Sequence, residues 1–297
     1  MNEIAQATPA TPAPVRPRVG VVKFASCDGC QLTLLDLESE LLEVVAHFDI
    51  VEFPEASSNR SEGPYDVLLV EGSISTPEQA EQIVELRRQA KLLVTIGACA
   101  TAGGIQALRN WADHDAFRAA VYAHPEVVES LATATPIADH VRVDAELRGC
   151  PIGIGQLREL LTSLILGRRP EIRDESVCAE CKRRGAVCVM VSRGIPCLGP
   201  VTQGGCGALC PRWGRGCYGC FGPREGANAT SLSRWFLAAG REEPDVGRLF
   251  AGFTAWAEPF RSVVTEYRGT RGAGEATGGP NGAPGPSEAT GGRDGHE

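Results

Sequence analysis

Leu92-Leu93-Val94-Thr95-Ile96-Gly97-Ala98-Cys99 reads as a short buried strand, then a glycine, then a thiol. A near-continuous apolar run of this length fits a strand covered on both faces, the arrangement found in parallel sheets. The same pattern repeats outward from it. Upstream lie Asp66–Val70, also apolar, and Thr76-Pro77-Glu78-Gln79, a capping sequence that opens a helix to about Gln89. Further upstream are a possible strand at Ile50–Phe53, a helical pattern from Cys30 to about Ala46, and a strand at Val19–Phe24. Downstream, Val141–Val143 is a shorter strand and Pro151 starts a helix to about Leu166. Strand and helix alternate, so the first half is expected to be α/β, a flavodoxin-like open parallel sheet with helices on both faces.

The thiols fall at meaningful places on this map. Cys27 and Cys30 follow the first strand, Cys99 follows Leu92–Ile96, and Cys150 follows the last strand. In open α/β sheets ligands collect at the carboxyl edge, so residues far apart in sequence can converge there. Four such thiolates suffice for one cubane iron–sulfur cluster. A lone CxxC would fit a redox dithiol or half of a zinc site equally well. Gly97 and Gly103-Gly104 flank Cys99 and would let the backbone approach a bulky group, or would serve as ordinary turns. Glu71, at the end of the Asp66–Val70 strand, is a candidate proton relay or cluster-tuning carboxylate; the plainer expectation is a solvent-facing loop acid. Leu34, Leu37 and Leu41 form a helical stripe that suits packing on the sheet, with an interface role as the alternative.

From Val177 to Gly222 hydrophobic periodicity gives way to cysteine. Cys178, Cys181, Cys188 and Cys197 are spaced C-x2-C-x6-C-x8-C, and Cys206, Cys210, Cys217 and Cys220 are spaced C-x3-C-P-x5-C-x2-C. So few large apolar residues cannot fold this stretch by burial alone, and metal–thiolate bonds would have to hold it, as in a ferredoxin-like two-cluster segment. Two structural zinc sites are the competing reading. The twelve cysteines divide into three sets of four, which points to three [4Fe-4S] clusters. Either sequential pairing or a ferredoxin-style exchange of the last ligand is compatible with the spacing. None of the five histidines lies in the cysteine-dense stretch.

The charge of −8 argues against nucleic acid as a partner. Yet Arg168–Arg224 carries ten Lys/Arg against four Asp/Glu. A basic surround suits negatively charged clusters, and equally a surface on which a partner docks. No run has the length and apolarity of a membrane span. The Ala/Thr/Pro-rich start resembles no export leader, so a cytoplasmic location is expected, where dense cysteine means metal or catalysis rather than disulfides. The expected organisation is a disordered tail at 1–17, a sheet domain at 18–170, a two-cluster domain at 171–225, a helical segment at 226–268, and a Gly-rich disordered tail at 269–297.

Ser26-Cys27-Asp28-Gly29-Cys30, Glu71-Gly72-Ser73, Gly97-Ala98-Cys99-Ala100 and Gly149-Cys150-Pro151 resemble the small subunit of nickel–iron hydrogenases. Val177-Cys178-Ala179-Glu180-Cys181, Gly194-Ile195-Pro196-Cys197-Leu198-Gly199-Pro200 and Cys217-Tyr218-Gly219-Cys220 look like the delta subunit of cytoplasmic, NAD(P)-linked sulfhydrogenases. The resemblance spans about 19–222. It implies that Cys27, Cys30, Cys99 and Cys150 hold a proximal cluster facing a nickel–iron large subunit. It also implies that the eight later cysteines hold medial and distal clusters leading to an iron–sulfur subunit and a flavin NAD(P)-binding subunit. Glu71 matches a carboxylate beside the proximal cluster, and no nickel ligand is expected on this chain. Other readings are a cytoplasmic hydrogenase serving a heterodisulfide reductase or deazaflavin partner, a respiratory dehydrogenase subunit (which usually has adjacent cysteines where this chain has Cys27-Asp28-Gly29-Cys30), and a zinc-stabilised binding module.

Overall fold

The computed structural model describes residues 16–268; the expectations for 1–15 and 269–297 lie outside the described residues. Five strands, β1 (Arg18–Lys23), β2 (Asp49–Glu52), β3 (Tyr65–Glu71), β4 (Ala90–Ile96) and β5 (Ala145–Leu147), form one sheet in the order β2-β1-β3-β4-β5. All four pairings are parallel. The register sets Lys23 beside Glu71 and Glu71 beside Ile96, so the ends of β1, β3 and β4 lie level on one edge.

Alternate residues feed two cores. Val19, Val21, Val67, Leu69, Val94 and Ile96 face α1 (Gly29–Leu35) and α6 (Ile154–Ile165), packing on Leu34, Leu157 and Leu160. Val22, Leu68, Val70 and Leu93 face the opposite way, onto Ile83 and Leu86 of α3 (Pro77–Gln89). Full burial of each such side chain contributes about 1.5–3 kcal/mol, which is why the strands carry almost no polar alternation. The α3 start is the expected capping box: Thr76 Oγ1 accepts from the Gln79 amide at 3.3 Å, and Gln79 Oε1 accepts from the Thr76 amide at 3.2 Å.

Three boundaries differ from the sequence reading. The single helix expected from Cys30 to Ala46 is two, α1 and α2 (Ser39–His47), with Glu38 at φ +49° between them. The break lets Leu34 and Leu37 enter the core while Leu41 and Val44 of α2 pack from its margin, which favours packing over an interface for that stripe. Val141–Val143 is not a strand. Asp144 accepts the Leu93 amide on its side chain at 2.9 Å, so ladder pairing with β4 begins only at Ala145. The helix placed at Pro151 begins at Ile154, because Gly149 and Ile152 bridge to each other first.

Two helices, α4 (Gly97–Ala102) and α5 (His114–Val121), lie between β4 and β5; beyond the sheet, the cysteine run carries three short ones, α7 (Val177–Arg183), α8 (Val189–Arg193) and α9 (Leu209–Arg212). Its own apolar centre is small: Val177, Val189 and Ala208, with Cys197 and Cys217 making up the remainder. The last helices, α10 (Ala229–Ala238), α11 (Glu243–Phe250) and α12 (Phe260–Arg268), pack Phe236, Phe250 and Phe260 edge to face at 6.4 and 5.4 Å. Leu198 and Val201 of the cysteine run enter this third core. Trp111 reaches it from the first half, 5.0 Å from Trp256.

Candidate metal centre

Every one of the first four thiols sits where a strand has just ended. The loop after β1 carries Cys27 and turns into α1 through Asp28, whose φ of +66° is held by Ser26 Oγ at 3.0 Å and Lys23 Nζ at 2.5 Å. Cys30 then lies buried in the first turn of α1. Ala25 and Ser73 exchange backbone hydrogen bonds at 3.2 and 3.0 Å, which ties the Cys27 loop to the end of β3. On the other side, the Ala98 amide donates to the Gly149 carbonyl at 2.7 Å and so links the Cys99 turn to the Cys150 loop. Gln106 spans the remaining gap, donating from Nε2 to the Ala25 carbonyl at 2.8 Å and lying 3.6 Å from Cys99 Sγ.

Two glycines are required by this crowding. At Gly97 (φ +86°) a Cβ would come within 2.3 Å of Cys30 Sγ, and at Gly104 (φ +67°) within 2.6 Å of Cys99 Sγ. Both positions lie in the left-handed region that glycine alone adopts without penalty. The backbone is thus drawn in against the thiols.

Glu71 is not a solvent-facing loop acid. Its side chain is 2 % exposed. One carboxylate oxygen accepts from the Cys30 amide at 3.1 Å and the other from Gln31 Nε2 at 2.9 Å. Burial raises its pKa, and these two donors only partly counter that. Burial, Glu71 and the thiols of Cys99 and Cys150 push the Cys30 thiol strongly upward; burial takes Cys99 to about 11. A CxxC redox pair or a nucleophile needs its thiol pulled down. Thiols raised in this way become thiolates only against a bound cation, and a metal deprotonates a coordinating thiol outright. Four thiols brought together from separate strand ends are a donor set that fits an iron–sulfur cluster.

The eight later thiols gather in one region. Cys178 lies near Cys197, Cys181 and Cys188, and Cys181 near Cys197, Cys188 and Cys206. Cys210 lies near Cys206 and Cys197, and Cys220 near both Cys206 and Cys210. Cys217 lies between the groups: its amide donates to Cys197 Sγ at 3.1 Å, while its thiol neighbours Cys220. Burial moves Cys178 to about 11 and Cys220 to about 12. Cys220 also lies near Cys150. The loops on either side are close: a Cβ on Gly149 would meet the Phe221 ring at 2.8 Å, and Gln156 Nε2 donates to the Gly204 carbonyl at 3.1 Å. Among the described residues, no three Cys, His, Asp or Glu side chains close on one point tightly enough for a single metal ion.

Sequence reasoning missed Glu180. From α7, between Cys178 and Cys181, its carboxylate accepts from the Gly205 amide at 2.9 Å and the Ala208 amide at 3.0 Å. It braces the Cys206 turn against the α7 thiols. Nothing in Cys-Ala-Glu-Cys distinguishes such a brace from a surface acid, because its partners are backbone amides 25 and 28 positions away.

Known proteins fit this geometry. Residues 27–164 match the family described as NADH ubiquinone oxidoreductase, 20 Kd subunit. Sulfhydrogenase 2 subunit delta of Pyrococcus furiosus is 35% identical over 240 residues, covering 80% of this chain and 100% of the relative. A match of that extent on 297 residues cannot avoid the eight-cysteine run. The chain belongs to the hydrogenase small-subunit family. A vhu subunit of the F420-non-reducing hydrogenase of Methanocaldococcus jannaschii is 31% identical over 272 residues, covering 80% of this chain and 94% of the relative. Among solved structures, a chain of an NAD+-reducing [NiFe]-hydrogenase in the H2-reduced state superposes with a TM-score of 0.51 at 29% identity. That match covers 54% of this chain and 96% of the other. This small subunit is therefore a parallel α/β sheet extended by a cysteine-rich segment and a helical cap. Among the described residues no helix is long and apolar enough to cross a membrane.

Proposed function

We propose that this chain is the electron-relay subunit of a cytoplasmic [NiFe] hydrogenase, carrying three [4Fe-4S] clusters between a nickel–iron large subunit and a flavin subunit that reacts with NAD(P), by way of a further iron–sulfur subunit. One observation carries the reading: thiols converge at the carboxyl edge of the sheet, and the loop of Cys150 packs against that of Cys220, so the later thiols adjoin the first set. Cys27, Cys30, Cys99 and Cys150 would hold the proximal cluster. We assign Cys206, Cys210, Cys217 and Cys220 to the medial cluster, because Cys220 lies near Cys150, and Cys178, Cys181, Cys188 and Cys197 to the distal one; Cys206 near Cys181 and Cys197 near Cys210 keep a ferredoxin-style exchange of a ligand compatible. In domain terms, residues 18–170 would hold the first cluster, 171–225 the other two, and 226–268 the helical cap.

Bound clusters supply one-electron steps; the chain's own residues set their surroundings. Gly97 and Gly104 bring the backbone to the thiols, and the Gln106 side chain lies against Cys99 Sγ. Glu71 fixes the Cys30 amide and places a carboxylate behind the proximal set, where it can retain or release a proton as local charge changes. Hydrogen bonds to sulfur, burial and nearby charge are the levers by which a protein tunes cluster potential. The nickel–iron centre would reside on the large subunit. Retention of thiols in the reduced state suits the cytoplasm.

Anaerobic purification with iron, acid-labile sulfide and zinc counted per chain tests the reading. About twelve irons and twelve sulfides are expected, as three cubanes require, with a nickel-containing subunit co-purifying and NAD(P)+ reduced by the complex under hydrogen. Zinc without sulfide would sink it. Full iron with no reaction of NAD(P)+ would retain the relay and reassign its acceptor.

A further inference from the structure

Three of the ten basic side chains of residues 168–224 meet at one place. Arg184, Arg193 and Arg212 line a concavity of about 570 Å³ together with Val187, between the end of α7, α8 and α9. The Arg184 guanidinium lies over Gly207, where a Cβ would meet its Nη2 at 2.6 Å, and Arg193 lies over Gly214, with Nη1 at 2.9 Å from such a Cβ. Arg183, next to Arg184 in sequence, holds the Glu175 carboxylate, as Arg158 and Arg168 hold Glu40 and Glu159. Among the described residues, no ion pair involves Arg184, Arg193 or Arg212. Three guanidiniums face solvent together in a chain whose net charge is −8.

Val187 lines the same concavity, and Val191 and Trp213 each lie one position from a lining residue. Val191 is 87 % exposed, Trp213 74 % and Val187 72 %. A lone exposed hydrophobe needs no explanation, but tryptophan and arginine on one patch are the residues that dominate binding energy at interfaces. Cys188, between Val187 and Val189, is itself exposed. A thiol of the set assigned above to the distal cluster thus lies between two residues of this lining, Val187 and Val189.

We propose that this surface docks a redox partner whose contact face is acidic and which carries a one-electron acceptor, an iron–sulfur cluster or a flavin, close to Cys188. The inference rests on the relay reading. The arginine trio would pair with the partner's carboxylates and steer its approach, and Trp213, Val187 and Val191 would form the dry centre of the contact. The step balances simply: this chain is oxidised by one electron, the partner is reduced by one, and no bond or proton is exchanged. Unpaired surface arginines accelerate association with an acidic partner by tenfold or more, and salt removes the effect.

The test uses the full chain, loaded with clusters and reduced, mixed in a stopped-flow cell with two protein oxidants of opposite charge: acidic cytochrome b5 and basic cytochrome c. At low salt cytochrome b5 is expected to be reduced at least tenfold faster than cytochrome c, with the advantage lost as salt rises. Reversing the trio (Arg184→Glu, Arg193→Glu, Arg212→Glu) should cut the cytochrome b5 rate at least tenfold, and Trp213→Ala should slow it several-fold. Phe117→Ala, on an exposed helix of the first half, should leave it unchanged. A neutral quinone should oxidise all variants alike. Equal rates for both cytochromes, a rate insensitive to the reversal, or capture of the chain by phosphatidylglycerol vesicles in preference to cytochrome b5 would overturn the proposal. Iron and sulfide counted on the same samples separate the two failures. Empty samples throughout sink the relay, whereas full clusters with charge-indifferent rates sink the docking surface alone.

Discussion

Replacing Gly97 with alanine isolates the packing of backbone against thiol. The added Cβ would lie 2.3 Å from Cys30 Sγ, whereas non-bonded heavy atoms of this size settle at about 3.5–4.0 Å. The sulfur, the Gly97 turn or both must therefore move by at least ~1.2 Å in total. Metal ligation tolerates errors of about 0.2 Å, so the proximal set should lose a ligand position. The residue's φ of +86° adds backbone strain of ~1–2 kcal/mol for alanine. On the three-cluster reading, iron should fall from about twelve to about eight per chain, with the proximal EPR signal lost and the other two retained. Gly155→Ala is the control: nothing lies within 4 Å of its Cβ, and it sits in the first turn of α6. That variant should keep all its iron and be slightly more stable, by at most ~1 kcal/mol. Anaerobic iron and sulfide analysis, low-temperature EPR of the reduced protein and thermal unfolding read all three quantities. Full iron and an unchanged proximal signal in Gly97→Ala would refute the argument that this glycine shapes a ligand site. Loss of all three signals would show that the turn supports the whole chain and not one centre.

Glu71→Ala should destabilise the chain by about 2–4 kcal/mol, because the Cys30 amide and Gln31 Nε2 lose their buried acceptor. Glu71→Gln, which keeps one acceptor oxygen, should cost less; thermal unfolding of the two variants ranks them. Stripping iron with a chelator should expose residues 177–222 to protease while the sheet survives, since that segment has only a small apolar centre and the sheet has two extensive cores; mass mapping of the first cuts decides it. At low pH, Glu159 supplies a defined contribution. The Arg168 guanidinium, with the Glu171 amide, holds its pKa at about 2, below the ordinary 4.5. A depressed carboxyl stabilises the fold above the ordinary value and loses that contribution as pH falls through the folded one. The gap in melting temperature between the native chain and Arg168→Met should therefore close between about pH 4.5 and 2.

How much was legible beforehand follows the range of the physics involved. Local chemistry announced itself: the Thr76–Gln79 box, the apolar strands and the placing of Cys27, Cys99 and Cys150 just after strands all depend on neighbours in sequence. Strand ends were legible only where side chains did not take over the ladder. Asp144 does take it over by accepting the Leu93 amide, and the expected strand at Val141–Val143 moved to Ala145–Leu147. Glu71 was readable as a strand-end acid, but its burial comes from Gln31 and Cys30, about forty residues earlier, and from a register that no periodicity encodes.

By itself the sequence determined the class of fold, the twelve candidate ligands and their division into a dispersed four and a clustered eight. Period, spacing and residue chemistry carry that information without a third dimension. The tertiary structure alone decided which thiols are neighbours, that Cys220 lies beside Cys150, that Glu180 braces the Cys206 turn, and that three arginines stand together without carboxylates. These facts depend on chain closure and on backbone amides as partners, and amides are the same at every position of the sequence.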